Sequence, residues 1–270
     1  MIINLTEVAS NWATNPDSKF RTAPAGYPWI KEGSLIVVGS NVHIEDNVTL
    51  GHRVLLGDDI ILNSRCVIGD HCIIGSNSTI EPRAKIGKHT SIGQKVFVGQ
   101  GVQIGEDCSI SNCVNIKDYA SIGEGCILYA NCYIGKDAII EKHVMLRESV
   151  TVDAAAYIGS LSKIREYSRI GCRAYIGGEA HISHHVNIND STVIGSFAYI
   201  GPHATNVVDM GYIEEYRKCF ARVNGEVFIG AGCRWFPLTE ALEHWKDRKD
   251  RKLTLALMQA LATHLSKEAK

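Results

Sequence analysis

Across residues 38–200 an aliphatic residue occupies every sixth position, 28 times without a break. The series opens Val38, Ile44, Leu50, Leu56 and closes Ile182, Ile188, Ile194, Ile200. Two places before each stands a small or β-branched residue, as in Val54, Cys72, Ser78, Ala84 and Thr90, and the next residue is often Gly, as in Gly57, Gly69 and Gly75. A helix rotates such a stripe off its face and a single strand alternates every two residues, so a six-residue period belongs to a coil. Fixed hexapeptide periods are the mark of a parallel β-helix, each repeat a short strand and a corner. Small residues are expected to fill the corners, with Gly easing the tight backbone there.

On these residues the chain resembles the hexapeptide-repeat superfamily. The resemblance implies a mainly β fold, a single-stranded left-handed parallel β-helix with three repeats per coil. At 18 residues per coil the run makes about nine coils, roughly 45 Å at the usual strand spacing of ~4.8 Å.

The flanks break the period. Residues 1–34 are expected to form a cap over the first coil, with a short helix over 6–13 and irregular chain around Pro16, Pro24, Gly26 and Pro28. Residues 35–201 are the β-helix. Residues 202–237 read as a loop and a β-hairpin turning at Asn224-Gly225. Residues 238–270 read as helices, the first N-capped by Thr239, the second showing an apolar face through Leu253, Leu257, Leu261 and Leu265.

A net charge of −1 and a pI near 6.8 provide no global field for nucleic acid or an anionic membrane. The opening residues lack a basic segment followed by an apolar one, and a cytoplasmic protein is expected. Of nine cysteines, Cys66, Cys72, Cys108, Cys126 and Cys132 fall in the small inward slot, where a reduced thiol acts as a compact hydrophobe.

Positions 18 apart stack, so the surface reads as columns. One runs Val37, Leu55, Ile73, Ser91, Ser109, Ile127, Met145, Lys163, His181, Tyr199; others hold Ile139, Tyr157, Tyr175, Val193 and Ile61, Phe97, Tyr133. Such stacked apolar groups imply a covering partner or the terminal helices. The superfamily resemblance implies a homotrimer.

Candidate chemistry lies in the histidines. His71, His89 and His143 share a column with Arg53 and Asp107, beside His52, Asp70, Lys88, Glu106, Glu124 and Lys142; this reads as a solvated edge of weak ion pairs. A subunit-bridging metal site like that of carbonic-anhydrase-type members is the alternative, but their His spacing is not matched and no metal is expected. Ala180-His181-Ile182-Ser183-His184 resembles the A-H-I-A-H segment of the UDP-N-acetylglucosamine acyltransferases, which implies that His184 is a general base. Those enzymes continue with Asp, where this chain has His185, so Glu166, one coil earlier, is the carboxylate expected to orient His184. His185, His203, Tyr167 and Tyr199 are the expected substrate-binding neighbours. A solvated polar corner under the C-terminal hairpin is the competing reading.

The resemblance thus implies an acyltransferase with acyl-CoA or an acyl carrier protein as donor and an amine or hydroxyl of a small, sugar-like acceptor. A run of Lys246, Arg248, Lys249, Arg251 and Lys252 is available for donor phosphates, although Asp247 and Asp250 make it read as a solvated surface. A non-catalytic trimeric structural or binding protein, phage-related in its ending, is the alternative. In its favour, no loop interrupts residues 38–200, where many catalytic members insert one.

Overall fold

The computed structural model describes residues 35–232, 234–248 and 251–268, with the short strands Ile3–Asn4, Ala13–Thr14 and Arg21–Thr22. From Leu35–Val38 to Tyr199–Ile200 the chain winds through a parallel β-helix of about nine coils whose three faces are three sheets. Registers are spaced by 18 residues throughout, as in Ile74↔Ile92, Ile80↔Val98 and Ile86↔Ile104. Every aliphatic position of the series from Ile44 onward is buried, and these side chains form one continuous core.

The glycines play a different part from the one expected. Gly57, Gly69 and Gly75 do not have positive φ; a Cβ on Gly75 would lie 2.6 Å from the backbone carbon of Gly93 in the next coil. They permit coils to approach. The left-handed conformation falls three places after each aliphatic, at every sixth residue from Asn41 to His203, and only Gly101 and Gly125 among these are glycine. The others include Asn41, Asp59, His71, Arg83, Tyr119, Leu161 and Phe197, with φ between 55° and 63°. This turn aims each corner amide back one coil, as in His71 N–H to His52 O at 2.7 Å and Arg83 N–H to Ser64 O at 3.0 Å.

The small inward slot also has a chemical rule. Its hydroxyl or thiol donates to the carbonyl 15 residues on: Ser78 to Gly93, Thr90 to Gly105 and Cys126 to Glu141, at 3.1, 3.0 and 2.9 Å. The eight described cysteines are free thiols.

At the N-terminal end, Arg21–Thr22 pairs antiparallel with Leu35–Val38, and Ile3–Asn4 with His43–Ile44. The helix expected over 6–13 falls outside the described residues except at Ala13, which lies in a strand. At the other end the expected hairpin is the centre of a four-stranded antiparallel sheet, Thr205–Ile213, Tyr216–Val223, Glu226–Ala231 and Arg234–Pro237. Asn224 and Gly225 both have positive φ, as a type I′ turn requires. Val207, Cys219 and Ala221 extend the coil core. The opposite face meets a second core of Ile229, Ala231, Ala241, Trp245 and Met258 under the helices Leu238–Trp245 and Lys252–Glu268. The sheet is thus the lid that closes the β-helix.

Thr239 is not the N-cap, which falls at Pro237 without a side-chain hydrogen bond. The second helix buries Thr254 and Met258 and leaves Leu253 66% exposed, so its inner face is rotated from the expected leucine stripe. Glu214 fixes that rotation: its carboxylate accepts from Leu253 N–H at 3.0 Å and from Thr254 Oγ1 at 2.6 Å.

Candidate active site

In the segment Ile182-Ser183-His184-His185-Val186, Ile182 and Val186 point inward, so the two histidines stand on the corner between two faces. Ser168 pins this corner from the coil below. Its hydroxyl donates to Ser183 O at 2.8 Å and accepts from Val186 N–H at 3.0 Å. His185 takes the left-handed turn with φ 56°, and its amide donates to Glu166 O at 2.9 Å.

The stacking brings the expected residues together. The rings of Tyr167, His185 and His203 form a ladder, with centroids 5.0 Å apart at 11° and 5.1 Å apart at 5°. The half-buried His184 ring stands edge-on to it, 5.4 Å from His185 and 5.1 Å from His203. Tyr199 is on the adjoining sheet face, where His181 lies 5.4 Å from it. Burial first, then the charges of Arg165 and Lys163, hold the His181 pKa below the ordinary histidine value.

Glu166 departs from expectation. Its carboxylate accepts from Arg165 Nε at 3.3 Å and makes no hydrogen bond to His184. Its pKa is lowered by a hydrogen bond from its own backbone amide and by the Arg165 charge.

One group does not show in the pattern of side chains, the backbone amide of His184 itself. In three lower coils of the same column this amide is claimed by a side chain one coil up: Ser40 N–H by Asp58 Oδ1, Asp58 N–H by Ser76 Oγ, Gln94 N–H by Asn112 Oδ1. The residue one coil above His184 is Pro202, which has no side-chain acceptor. The structure records no partner for His184 N–H among the described residues.

The edge column of histidines is a stack: His71 and His89 lie 4.9 Å apart at 13°, with His52 edge-on to His71 at 6.2 Å. His71, His89, His143, His185 and His203 all occupy the left-handed corner position, which His tolerates better than most residues. Backbone geometry therefore accounts for five of the eleven histidines without chemistry. Among the described residues, ligand atoms of three His, Cys, Asp or Glu come within 4.8 Å of one another only at Asp153, Cys172 and Asp190. Arg169 already serves both carboxylates there, 2.5 Å from Asp153 Oδ2 and 3.6 Å from Asp190 Oδ1.

The family model for bacterial transferase hexapeptide (six repeats) matches residues 65–100. No curated protein matches the sequence. Among solved structures, the chain is similar to a UDP-N-acetylglucosamine acyltransferase from Bacteroides fragilis, with 17% identity, 62% of this chain and 67% of that one covered, and a TM-score of 0.48. The enzyme from Francisella novicida gives 22% identity, 60% and 66% coverage and a TM-score of 0.36. That from Campylobacter jejuni gives 18%, 83% and 82%, and 0.31. At these identities the likeness is one of coil architecture.

Proposed function

We propose that this protein is an acyltransferase, with His184 as general base, a thioester of coenzyme A or acyl carrier protein as donor, and an amine or hydroxyl of a small sugar-like molecule as acceptor. The observation that carries this reading is that His184 offers two complementary groups at one corner, a half-buried imidazole and an unclaimed backbone N–H. The transferase hexapeptide match over 65–100 supports the class. His184 removes the proton of the attacking acceptor atom as that atom bonds to the thioester carbonyl carbon. The N–H of His184 donates to the oxyanion of the tetrahedral intermediate. The C–S bond then breaks, and the proton on His184 passes to the departing thiolate.

His185, His203 and Tyr167 form the stacked wall beside the acceptor, and Tyr199 borders it on the sheet face. Glu166 orients the His184 ring once the acceptor draws Arg165 away. In this reading the protein works as a cytoplasmic homotrimer, with the exposed Ile139, Tyr175 and Val193 against a neighbouring subunit.

The test is calorimetric binding of acetyl-CoA and free CoA, followed by thiol-release assays against amino and hydroxyl sugars. Wild type is expected to bind donor saturably and release thiol only with acceptor. His184→Ala is expected to lose turnover by roughly 10²–10⁴-fold with its melting temperature unchanged. Retention of full turnover by His184→Ala overturns the assignment, and absence of binding to acetyl-CoA and to acyl carrier protein overturns the class.

A further inference from the structure

The C-terminal sheet and the two helices enclose a second concavity, remote in sequence from the His184 corner. It has a volume of about 260 Å³ and is lined by Tyr216, Arg234, His244, Trp245, Arg248 and Arg251, with Gly232 at its edge. Three guanidiniums therefore face one small space. Only Arg251 is matched by a carboxylate: its Nη2 lies 2.7 Å from Glu215 Oε2. Its guanidinium also covers the Tyr216 ring at 5.2 Å, with Lys218 Nζ 5.1 Å from the same ring. Arg234 and Arg248 are exposed, and neither has a carboxylate partner among the described residues.

The wall between them is aromatic. His244 stacks on Phe236 at 5.2 Å and meets Trp245 edge-on at 4.7 Å. Burial, then the charges of Arg248 and Arg234, hold the His244 pKa below its ordinary value, so both guanidiniums act on this ring. Like charges gathered in a concave, partly desolvated space repel unless an anion joins them, and planar forked donors match phosphate oxygens in pairs.

We propose that this cavity binds a small organic phosphate carrying a ring, of the nucleoside monophosphate class, with Arg234 and Arg248 on the phosphate and the Tyr216, His244 and Trp245 wall against the ring. The volume of about 260 Å³ is just below the usual range of ligand pockets and suits a small ligand. Neither guanidinium belongs to the His184 corner, so the site stands or falls independently of the acyl-transfer reading.

The experiment titrates the full-length protein with AMP, ribose 5-phosphate and inorganic phosphate by calorimetry, and follows the His244 ring resonances by NMR. AMP is expected to bind saturably and more tightly than either smaller probe, and to shift the His244 resonances. Arg234→Ala and Arg248→Ala are each expected to weaken AMP about tenfold, the worth of one charge-assisted contact. Both residues are exposed, and an unchanged melting temperature shows that the variants fold. His184→Ala is expected to bind AMP as wild type does. Three results overturn the proposal: no AMP binding, equal affinity for AMP and inorganic phosphate, or AMP binding that survives both arginine substitutions.

Discussion

The corner residues of this chain show how a repeat tolerates nearly any side chain where the backbone demands an unusual turn. Left-handed φ at a residue such as Leu161 or Phe197 is unfavourable by about 1 kcal/mol, and each corner recovers it by pairing its amide with the coil below. The adjacent glycines are less replaceable. Gly75→Ala places a methyl 2.6 Å from the Gly93 backbone carbon, where nothing flexible yields, and is expected to destabilise by about 1–3 kcal/mol in denaturant melts. Phe197→Gly, at a corner two residues past the glycine position Gly195, is expected to melt close to wild type. The aliphatic series alone announces the fold. The left-handed corners were legible only in part, because Arg, Tyr, Leu and Phe occupy them beside Asn, Asp and His, and propensity is overridden by the coil-to-coil hydrogen bond.

Each strand of the β-helix is two or three residues long for most of its length, and holds its place only through neighbours above and below. The inward hydroxyls therefore have an effect beyond their size. Ser168 ties Ser183 O and Val186 N–H, the two ends of the His184 corner. Ser168→Ala leaves both backbone groups unpaired in a buried setting and is expected to cost about 1–3 kcal/mol, read as a lower melting temperature. On the proposed acyl-transfer reading it is also expected to raise KM for the acceptor, since the corner loses its anchor; an unchanged KM separates stability from positioning. The slot was legible as small, yet its hydroxyl chemistry was not, because Ala and Val fill the same position in other coils and hide the pattern. The helix Lys252–Glu268 is the counterpart: its leucine spacing suggested one face, and the Glu214 contacts from the distant sheet select another.

On the scale of the molecule, the β-helix and its lid are joined by a buried ion pair. Arg217 Nη1 lies 2.9 Å from Asp209 Oδ2, while Arg217 Nε donates to Ser196 O at 2.9 Å and Asp209 accepts from Gly195 N–H at 2.5 Å. Both side chains are largely hidden, at 16% and 5% exposure, so Asp209→Ala strands a buried guanidinium. Its expected cost is about 3–5 kcal/mol, measured by thermal or denaturant unfolding. The core's thiols set an alkaline limit. Burial pushes Cys66 and Cys219 up to about 12 and Cys132 to about 11, against 9.0 for an unburied thiol. Unfolding lets each ionise, so their contribution is whole below about pH 9 and is lost as pH rises from there towards 11–12. The loss is about 1.4 kcal/mol per thiol per pH unit. Melts at pH 8, 9 and 10 are expected to show it, and replacement of Cys66 by Ala is expected to flatten the slope.

The six-residue period by itself determined the coil, its register and its core, because one repeated constraint fixes every strand against the one 18 residues away. It also determined that His184, His185, His203 and Tyr167 gather at one corner, since stacking in such a coil is arithmetic. What the tertiary structure decided lies where the arithmetic ends: Glu166 turned to Arg165, the four-stranded lid, the rotation of the last helix, and the cavity among Arg234, His244 and Arg248. Those depend on contacts between segments that share no period, and only packing in three dimensions selects among their alternatives.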